Sequence, residues 1–295
     1  MNFGRVLTAM VTPFDHQGEV DYPATKNLID HLIANGTDAL VVAGTTGESP
    51  TLTNEEKVAL FSFAVKEVNG RIPVIAGTGS NNTRESIALT AEAESTGVDG
   101  VMLVVPYYNK PNQEGMYQHF KTIAESTSLP VMMYNVPGRT ASVLEPDTVV
   151  RLASDVDNIV SVKEASGNLD AIADIIERTD EDFTLYSGDD GLTLPILAIG
   201  GTGIVSVSSH VLGQEMQQMV QAHFAGRPSE AAAIHREILP KCQALFSAPS
   251  PTPVKAVLNM AGVPVGDVRL PLVPLSDEEH RELMRKMQLQ ITRVS

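Results

Sequence analysis

Short apolar runs alternate with longer amphipathic segments along almost the whole chain. Eight of these runs consist mostly of Val, Ile, Leu and Met and are bounded by Gly, Pro, Asp or Asn. Short continuous apolar runs of this kind are typical of strands that are covered on both faces. They lie in the segments RVLTAMVTPF, DALVVAGTTGE, IPVIAGTG, GVMLVVPYY, LPVMMYNVPG, NIVSVKEASG, FTLYSGDD and GTGIVSVSS.

The segments between the apolar runs carry the marks of helices. Residues 21–35 place their apolar positions three and four apart, and Gly36 follows as a C-terminal cap. Thr53 and Glu56 have the spacing of a capping box, which predicts that a second helix begins there. Asn82 begins a third helix in the same way. Strand and helix therefore alternate along the chain.

Eight strand–helix units predict an α/β fold, the (β/α)8 TIM barrel, which typically needs about 250 residues. An open doubly wound sheet is the alternative, but it usually carries a Gly-rich fingerprint after its first strand, and VTPFDHQGE has none. We predict a catalytic barrel domain over 1–225 and a small C-terminal helical domain over 226–295. The last predicted helix begins at Ser276 and extends to Arg293.

Composition narrows the classes of function. The chain has 295 residues and a formal net charge of −15, which argues against nucleic-acid binding because a basic surface is needed to replace the counterions of phosphate. Its single cysteine, Cys242, excludes an intrachain disulfide and is expected to be a small core residue. The chain shows no secretory leader and no apolar run of about 18 residues, so we expect a cytoplasmic protein without membrane contact.

Polar residues cluster where the predicted strands end. In a barrel of this type the active site lies at the carboxyl ends of the strands. The polar residues at these positions include Thr45, Thr46, Tyr107, Tyr108, Tyr134, Arg139 and Lys163. The GTTGES turn supplies donors for a carboxylate or is a plain turn, and Arg139 is either a carboxylate clamp or a surface arginine.

Lys163 lies in a run of β-branched residues, IVSVKE. Alternation along the strand predicts that Ser161 and Lys163 point into the barrel, whereas Val160 and Val162 face the helices. Tyr134 is expected inside the barrel near this lysine. A desolvated lysine has a more available neutral amine, which attacks ketones to form a Schiff base. The alternative is a strand-end lysine whose ammonium reaches solvent.

The common motifs of metal, serine hydrolase and nucleotide sites are absent from the sequence. His210, His223 and His235 lack ligand spacing, so we predict no metal site. The acidic pair Asp189 and Asp190 in SGDD is predicted to cap a strand end. The glycines of IGGTGIVS are too generic to indicate a phosphate loop.

Six motifs occur together in the order and spacing of one enzyme family. They are GTTGESPTL, IPVIAGTG, VPYYNKP, YNVPGRT, VKEASGN and SGDD. With these motifs the chain resembles, over essentially its whole length, the dihydrodipicolinate synthases, which belong to the superfamily of N-acetylneuraminate lyase. The resemblance implies a class I aldolase-type reaction without a cofactor, in which Lys163 forms a Schiff base with pyruvate. The resulting enamine adds to L-aspartate 4-semialdehyde, and ring closure gives 4-hydroxy-tetrahydrodipicolinate on the route to diaminopimelate and lysine.

The resemblance also implies roles for individual residues. Tyr134 corresponds to the proton donor and acceptor, with Thr45 and Tyr108 as its relay partners. Tyr107 is assigned to insertion into a neighbouring subunit, and the family implies a homotetramer, although a dimer would also complete the site. The substrate contacts are assigned to Thr46, to the backbone of Val205, to Arg139 and to Gly188.

Two other functions remain open at this point. One is a different Schiff-base aldolase, such as N-acetylneuraminate lyase or 2-keto-3-deoxygluconate aldolase, and the other is a non-catalytic barrel that binds a small carboxylate. Arg139 favours the synthase because two carboxylate-bearing substrates need a second cationic anchor. Lysine-inhibited relatives carry histidines where this chain has Asn54 and Lys57, so we predict weak or no inhibition by lysine.

Overall fold

Eight parallel strands close into a barrel in the order in which they occur in the sequence. The computed structural model describes residues 3–288. The strands are β1 (Val6–Ala9), β2 (Ala39–Val42), β3 (Val74–Gly77), β4 (Gly100–Val104), β5 (Val131–Asn135), β6 (Ile159–Glu164), β7 (Thr184–Ser187) and β8 (Gly203–Ser206). Pairing of Thr8 in β1 with Ser206 in β8 closes the ring. All eight lie within the predicted segments, and the predicted TIM barrel is confirmed.

Helices surround the barrel and continue beyond it. Those of the barrel are α1 (Tyr22–Ala34), α2 (Asn54–Val68), α3 (Thr83–Ser95), α4 (Gln113–Ala124), α5 (Pro137–Thr140), α6 (Pro146–Asp155), α7 (Leu169–Arg178), α8 (Thr193–Ala198) and α9 (Ser209–Phe224). The capping box of Thr53 and Glu56 is confirmed at the start of α2. The Asn82 side chain likewise accepts backbone N–H groups at the start of α3. These caps satisfy donors that the first helical turn leaves unpaired.

Side chains alternate between two apolar layers along each strand. One layer fills the barrel interior, and its members include Val41, Ile75, Met102, Met132, Tyr134, Tyr186 and Val205. The other layer packs between strands and helices and includes Val42, Ala76, Leu103, Met133, Val162 and Leu185. Burial of one such side chain contributes roughly 1.5–3 kcal/mol to the free energy of unfolding. The two packed layers therefore hold the strand ends, and the residues that follow them, in fixed positions.

Strand β6 contains one residue more than β5 at the start of their ladder. Val131 pairs with Ile159, but the next residue, Met132, pairs with Ser161. The extra residue is Val160, which packs against the interior layer. The prediction that Val160 faces the helices is therefore wrong, because strict alternation assumes an uninterrupted ladder and a bulge shifts it by one residue.

Beyond the bulge the alternation of β6 holds. Lys163 pairs with Tyr134, whose side chain belongs to the interior layer, and Val162 belongs to the outer layer. Ser161 pairs with the interior residue Met132 and is fully buried. The predicted inward direction of Ser161 and Lys163 is confirmed.

Three helices follow the barrel: α10 (Pro228–Ala244), α11 (Thr252–Met260) and α12 (Asp277–Met287). Ser276 and Glu279 form a capping box at the start of α12, and the predicted continuation past residue 288 lies outside the described residues.

Cys242 of α10 is buried in one apolar cluster with Val6 of the barrel, and burial raises the pKa of its thiol to about 12. The separation into two domains stays a prediction, since the two parts share this core. Within residues 3–288, no helix has the length and apolar character to span a membrane.

Candidate active site

A cavity of about 260 Å³ opens at the carboxyl ends of β2, β3, β4 and β5. Four of the residues that the sequence singled out line it: Thr45, Tyr107, Tyr134 and Arg139. Lys57 of α2 contributes to the same wall. The cavity thus lies where a barrel of this type carries its active site, and it brings together side chains from four separate segments.

Lys163 lies at the end of β6 with 5% of its surface exposed. Its Nζ lies 4.1 Å from the ring centroid of Tyr134, and among the described residues it makes no ion pair within 4.0 Å. Burial lowers the pKa of this ammonium from 10.5 to about 7, an effect that Asp190 opposes and Arg139 reinforces. A large fraction of the amine is therefore neutral near neutral pH and able to act as a nucleophile.

Tyr134 is buried, contacts this lysine through its ring and lines the cavity. Burial raises the pKa of its phenol, whereas the charge of Arg139 and a hydrogen bond with Thr45 lower it in part. The phenol is therefore protonated at neutral pH and can donate a proton or a hydrogen bond to a group in the cavity.

The GTTGES turn connects β2 to α2 and carries Thr45 and Thr46. The N–H of Gly47 donates to the carbonyl of Gly44 at 3.0 Å, and the N–H of Glu48 donates to that of Thr45 at 3.1 Å. Thr45 faces the cavity, and Thr46 is 6% exposed. The turn therefore presents the Thr45 hydroxyl to Tyr134, as a proton relay requires.

Gly188 lies beside the lysine, and Val205 lies in the barrel interior. A Cβ atom on Gly188 would lie 3.1 Å from Cε of Lys163 and 2.7 Å from Cβ of Ala165. Any other residue at this position would displace the lysine side chain, and glycine avoids the clash because it has no Cβ atom. Val205 pairs with Leu7 and belongs to the interior layer, so its backbone lies on the wall of the barrel.

The two adjacent tyrosines differ in exposure. Tyr107 lines the cavity with Thr45 and Tyr134 and is 37% exposed. Tyr108 does not contribute to this wall; it is 89% exposed, and its φ of 67° places it in the left-handed region. The exposure of the two tyrosines runs opposite to the assigned roles, in which Tyr108 acts in its own subunit and Tyr107 reaches across.

A buried carboxylate, Asp190, acts on the charge of Lys163, an effect that the sequence did not predict. Asp190 is 3% exposed, accepts hydrogen bonds from the backbone N–H groups of Val207 and Ser208 at 3.2 and 3.1 Å, and also accepts one from the Ser206 hydroxyl. Its predicted role as a cap at a strand end is confirmed. Its charge also opposes the lowering of the Lys163 pKa, and the SGDD motif in FTLYSGDD did not indicate that effect.

A buried ion pair behind the GTTGES turn was also missed. Nζ of Lys255 in α11 lies 2.7 Å from Oε1 of Glu48, and both side chains are 2% exposed. The acidic residue of GTTGES was visible in the sequence, but nothing near Lys255 indicated its partner, because the contact joins distant parts of the chain.

The chain is similar to known proteins along almost its whole length. The model of the dihydrodipicolinate synthetase family matches residues 2–290. The 4-hydroxy-tetrahydrodipicolinate synthase of Bacillus subtilis is 63% identical over 283 residues, which are 96% of this chain and 98% of that protein.

Solved structures give the same result. A dihydrodipicolinate synthase from Bacillus anthracis has a TM-score of 0.96 and 59% identity, with 98% of each chain covered. The chloride-inhibited dihydrodipicolinate synthase of Acinetobacter baumannii, complexed with pyruvate, has a TM-score of 0.93 and 37% identity over 98% of this chain and 100% of that one. The chain therefore belongs to the dihydrodipicolinate synthetase family.

Proposed function

We propose that this protein condenses pyruvate with L-aspartate 4-semialdehyde to give 4-hydroxy-tetrahydrodipicolinate, a reaction of diaminopimelate and lysine biosynthesis. The observation that carries the proposal is Lys163, a buried amine whose pKa is lowered to about 7 beside a protonated phenol. The family and the 63% identity to a synthase of this name support it.

The first proposed step is the formation of an imine. The neutral Nζ of Lys163 attacks the keto carbon of pyruvate, and water leaves. Tyr134 lies within contact of the lysine and supplies the proton for the departing oxygen. The cationic imine then acidifies the pyruvate methyl group, and the Tyr134 phenolate takes one methyl proton to give the enamine.

The second proposed step forms the carbon–carbon bond. The enamine carbon attacks the aldehyde of the semialdehyde, and a proton relayed through Tyr134 and Thr45 neutralises the new alkoxide. The amino group of the same substrate then attacks the imine carbon, expels the amine of Lys163 and closes the ring. Arg139 lines the cavity wall and is proposed to clamp the semialdehyde carboxylate.

The remaining substrate contacts are proposed from the family motifs and their positions. Thr46 lies in the GTTGES turn and would hold the pyruvate carboxylate. Gly188 lies beside the lysine, the Val205 backbone lies on the wall of the barrel interior, and both are proposed to contact pyruvate. No cofactor is required in these steps, because the amine of Lys163 itself provides the electron sink.

The exposure of the two tyrosines supports a revised division of their roles. We propose that Tyr107 serves its own site and that Tyr108, which is 89% exposed, enters the site of a neighbouring subunit as the relay partner of Thr45. An exposed aromatic of this kind is typical of an interface. On this basis, we propose a homo-oligomer, with a homotetramer as the assembly that the family implies. A cytoplasmic location is proposed from the bacterial relatives.

The experiment for the proposed reaction is borohydride trapping with pyruvate, followed by peptide mass mapping and an assay of condensation. We expect label on Lys163 and turnover with L-aspartate 4-semialdehyde but not with sugar-acid acceptors. Label at another residue, or no label, would contradict the proposed chemistry. Turnover with sugar-derived aldehydes alone would instead favour another Schiff-base aldolase.

The experiment for Tyr108 mixes two inactive variants, Tyr108→Ala and Lys163→Ala, under conditions that exchange subunits. If Tyr108 acts across the interface, a mixed assembly contains sites with both residues intact, and activity returns. If Tyr108 acts within its own subunit, every site lacks one of the two residues, and mixing restores nothing.

A further inference from the structure

The ion pair between Glu48 and Lys255 is enclosed by further contacts. The Lys255 ammonium donates to the carbonyl of Asp267 at 2.9 Å and lies 4.2 Å from the ring centroid of Phe14. The second carboxylate oxygen of Glu48 accepts the backbone N–H of Arg269 at 2.9 Å. Both charged groups are thus buried and paired with each other and with backbone groups. This pairing matters because a buried charge without partners lowers the stability of the fold.

The backbone of Glu48 belongs to the turn that carries the proposed catalytic threonines. Its φ of 58° lies in the left-handed region, which a non-glycine residue occupies at an energetic cost. Its N–H donates to the carbonyl of Thr45 at 3.1 Å, and its carbonyl accepts from the hydroxyl of Thr51 at 3.0 Å. The conformation of Glu48 therefore fixes the positions of Thr45 and Thr46.

A second contact from the same C-terminal segment reaches the end of this turn. The guanidinium of Arg269 donates to the carbonyl of Thr51 at 2.8 Å and to that of Gly18 at 2.7 Å. Gly266 has a φ of 67°, and a Cβ atom there would lie 1.8 Å from the carbonyl oxygen of Phe14. The segment that carries Asp267 and Arg269 is consequently packed in one position against the barrel.

We infer that Glu48 and Lys255 are positioning residues, which hold Thr45 and Thr46 in register with Tyr134 by anchoring the GTTGES turn to helix α11. The inference rests on the proposed function of the site. An apolar pair of similar size would fill the same space, but it would not hold the carboxylate at a defined point. A displacement of about 1 Å at a catalytic group can lower the rate about 100-fold.

The test compares Glu48→Gln, Lys255→Met and the double variant with the unmodified protein. The rate of condensation is measured per Lys163 that borohydride traps with pyruvate, so that loss of folded protein does not enter the result. We expect the rate per trapped site to fall about 10- to 100-fold in each single variant. The pH dependence of trapping should stay unchanged, because Lys163 does not contact the pair. If a single variant does not fold, the double variant is used instead, since it leaves no unpaired buried charge. The same fall in rate per trapped site is expected in the double variant.

Asp38→Asn is the matched control. Asp38 comes just before β2, at the end of the barrel opposite the site. In the unmodified protein its carboxylate accepts the backbone N–H groups of Arg5 and Val6 at 2.8 and 2.9 Å. We expect this variant to lose stability and to keep its rate per trapped site within about twofold of the unmodified protein.

Two outcomes overturn the inference while the proposed function stands: rates per trapped site within twofold of normal in the single and double variants, or an equal loss in Asp38→Asn. An unmodified protein that traps no pyruvate would overturn the inference and the proposed function together.

Discussion

Two lysines of this protein are buried to a similar degree and face different groups. Lys163 is 5% exposed and Lys255 is 2% exposed. Each ammonium lies near an aromatic ring, 4.1 Å from the centroid of Tyr134 and 4.2 Å from that of Phe14. Lys255 has a carboxylate at 2.7 Å, whereas Lys163 makes no such pair among the described residues.

Burial lowers the pKa of both lysines, but Glu48 opposes the effect directly at Lys255. At Lys163 the opposing charge comes from Asp190, which accepts three hydrogen bonds from β8 and the start of α9 and makes no ion pair with the lysine. These neutral donors satisfy the carboxylate, so it does not need the ammonium as a partner. Burial alone does not make a lysine a nucleophile, since the buried amine must also lack a close carboxylate.

Replacing the unpaired lysine should have the largest effect on activity. We expect Lys163→Met to lose at least about 10⁴-fold in condensation rate, because no other amine lies at the reacting position. Borohydride trapping with pyruvate should yield no label in this variant. Lys57→Met removes the lysine on the cavity wall and should keep the label on Lys163. Label on a different lysine in Lys163→Met would contradict the assignment.

The two lysines should also affect stability with opposite signs. Lys163 has a pKa of about 7 in the folded protein and 10.5 when unfolded, so between these values the unfolded chain binds more protons. Its ammonium therefore costs stability that grows as the pH falls from 10.5 to 7 and is complete below 7, with an upper bound of about 5 kcal/mol.

Urea unfolding at two pH values measures this difference. Lys163→Met should be more stable than the unmodified protein at about pH 6.5, and the gain should shrink by about pH 10. Lys255→Met should instead be destabilised by about 3–5 kcal/mol, because Glu48 is left buried without its partner. Equal signs in the two variants would show that the two lysines are not distinguished by their partners.

A smaller effect is expected from crowding the unpaired lysine. In Gly188→Ala the new methyl group would lie 3.1 Å from Cε of Lys163 and 2.7 Å from Cβ of Ala165, so the lysine side chain must move. We expect kcat to fall about tenfold, as misplacement of a nucleophile by a fraction of an ångström does. Gly138→Ala is the control, since a Cβ atom there meets nothing within 4 Å. An unchanged kcat in Gly188→Ala would show that the position of the lysine tolerates this shift.

Much of the barrel and part of the site follow from local sequence patterns. The strands and the caps at Thr53 and Ser276 were predictable because they depend on residues a few positions apart. The inward direction of Lys163 was predictable for the same reason. The bulge at Val160 was not, since it depends on the register with the neighbouring strand.

The partners of the two lysines could not be predicted from local pattern. Both occur after a valine, in SVKEA and in PVKAV, so the flanking residues do not separate them. What differs is the environment brought together by the fold: Glu48 comes from the turn after β2, and Asp190 follows β7. The exposure of Tyr108 likewise depends on the path of the backbone after β4, where its φ is positive.

The smallest predicted effect concerns a third lysine, Lys57, which is partly buried on the cavity wall. Burial lowers the pKa of this ammonium, and the charge of Glu85 opposes that shift. Lys57 and Arg139 line the same cavity, so a cationic ligand there meets two basic side chains. We expect the unmodified protein to be half-inhibited only by lysine concentrations above about 1 mM. In Lys57→Gln this concentration should fall about threefold, because one partly screened repulsive charge is removed.

Lys66→Gln on the same helix is the control for that measurement, since this lysine is exposed and does not contribute to the cavity wall. The activity of Lys57→Gln without added lysine should be unchanged, because Lys57 has no part in the proposed chemistry. Sub-millimolar inhibition of the unmodified protein would contradict the electrostatic argument. If both variants respond equally, the response reflects net charge of the chain, and if only Lys57→Gln responds, the cation on the cavity wall is the cause.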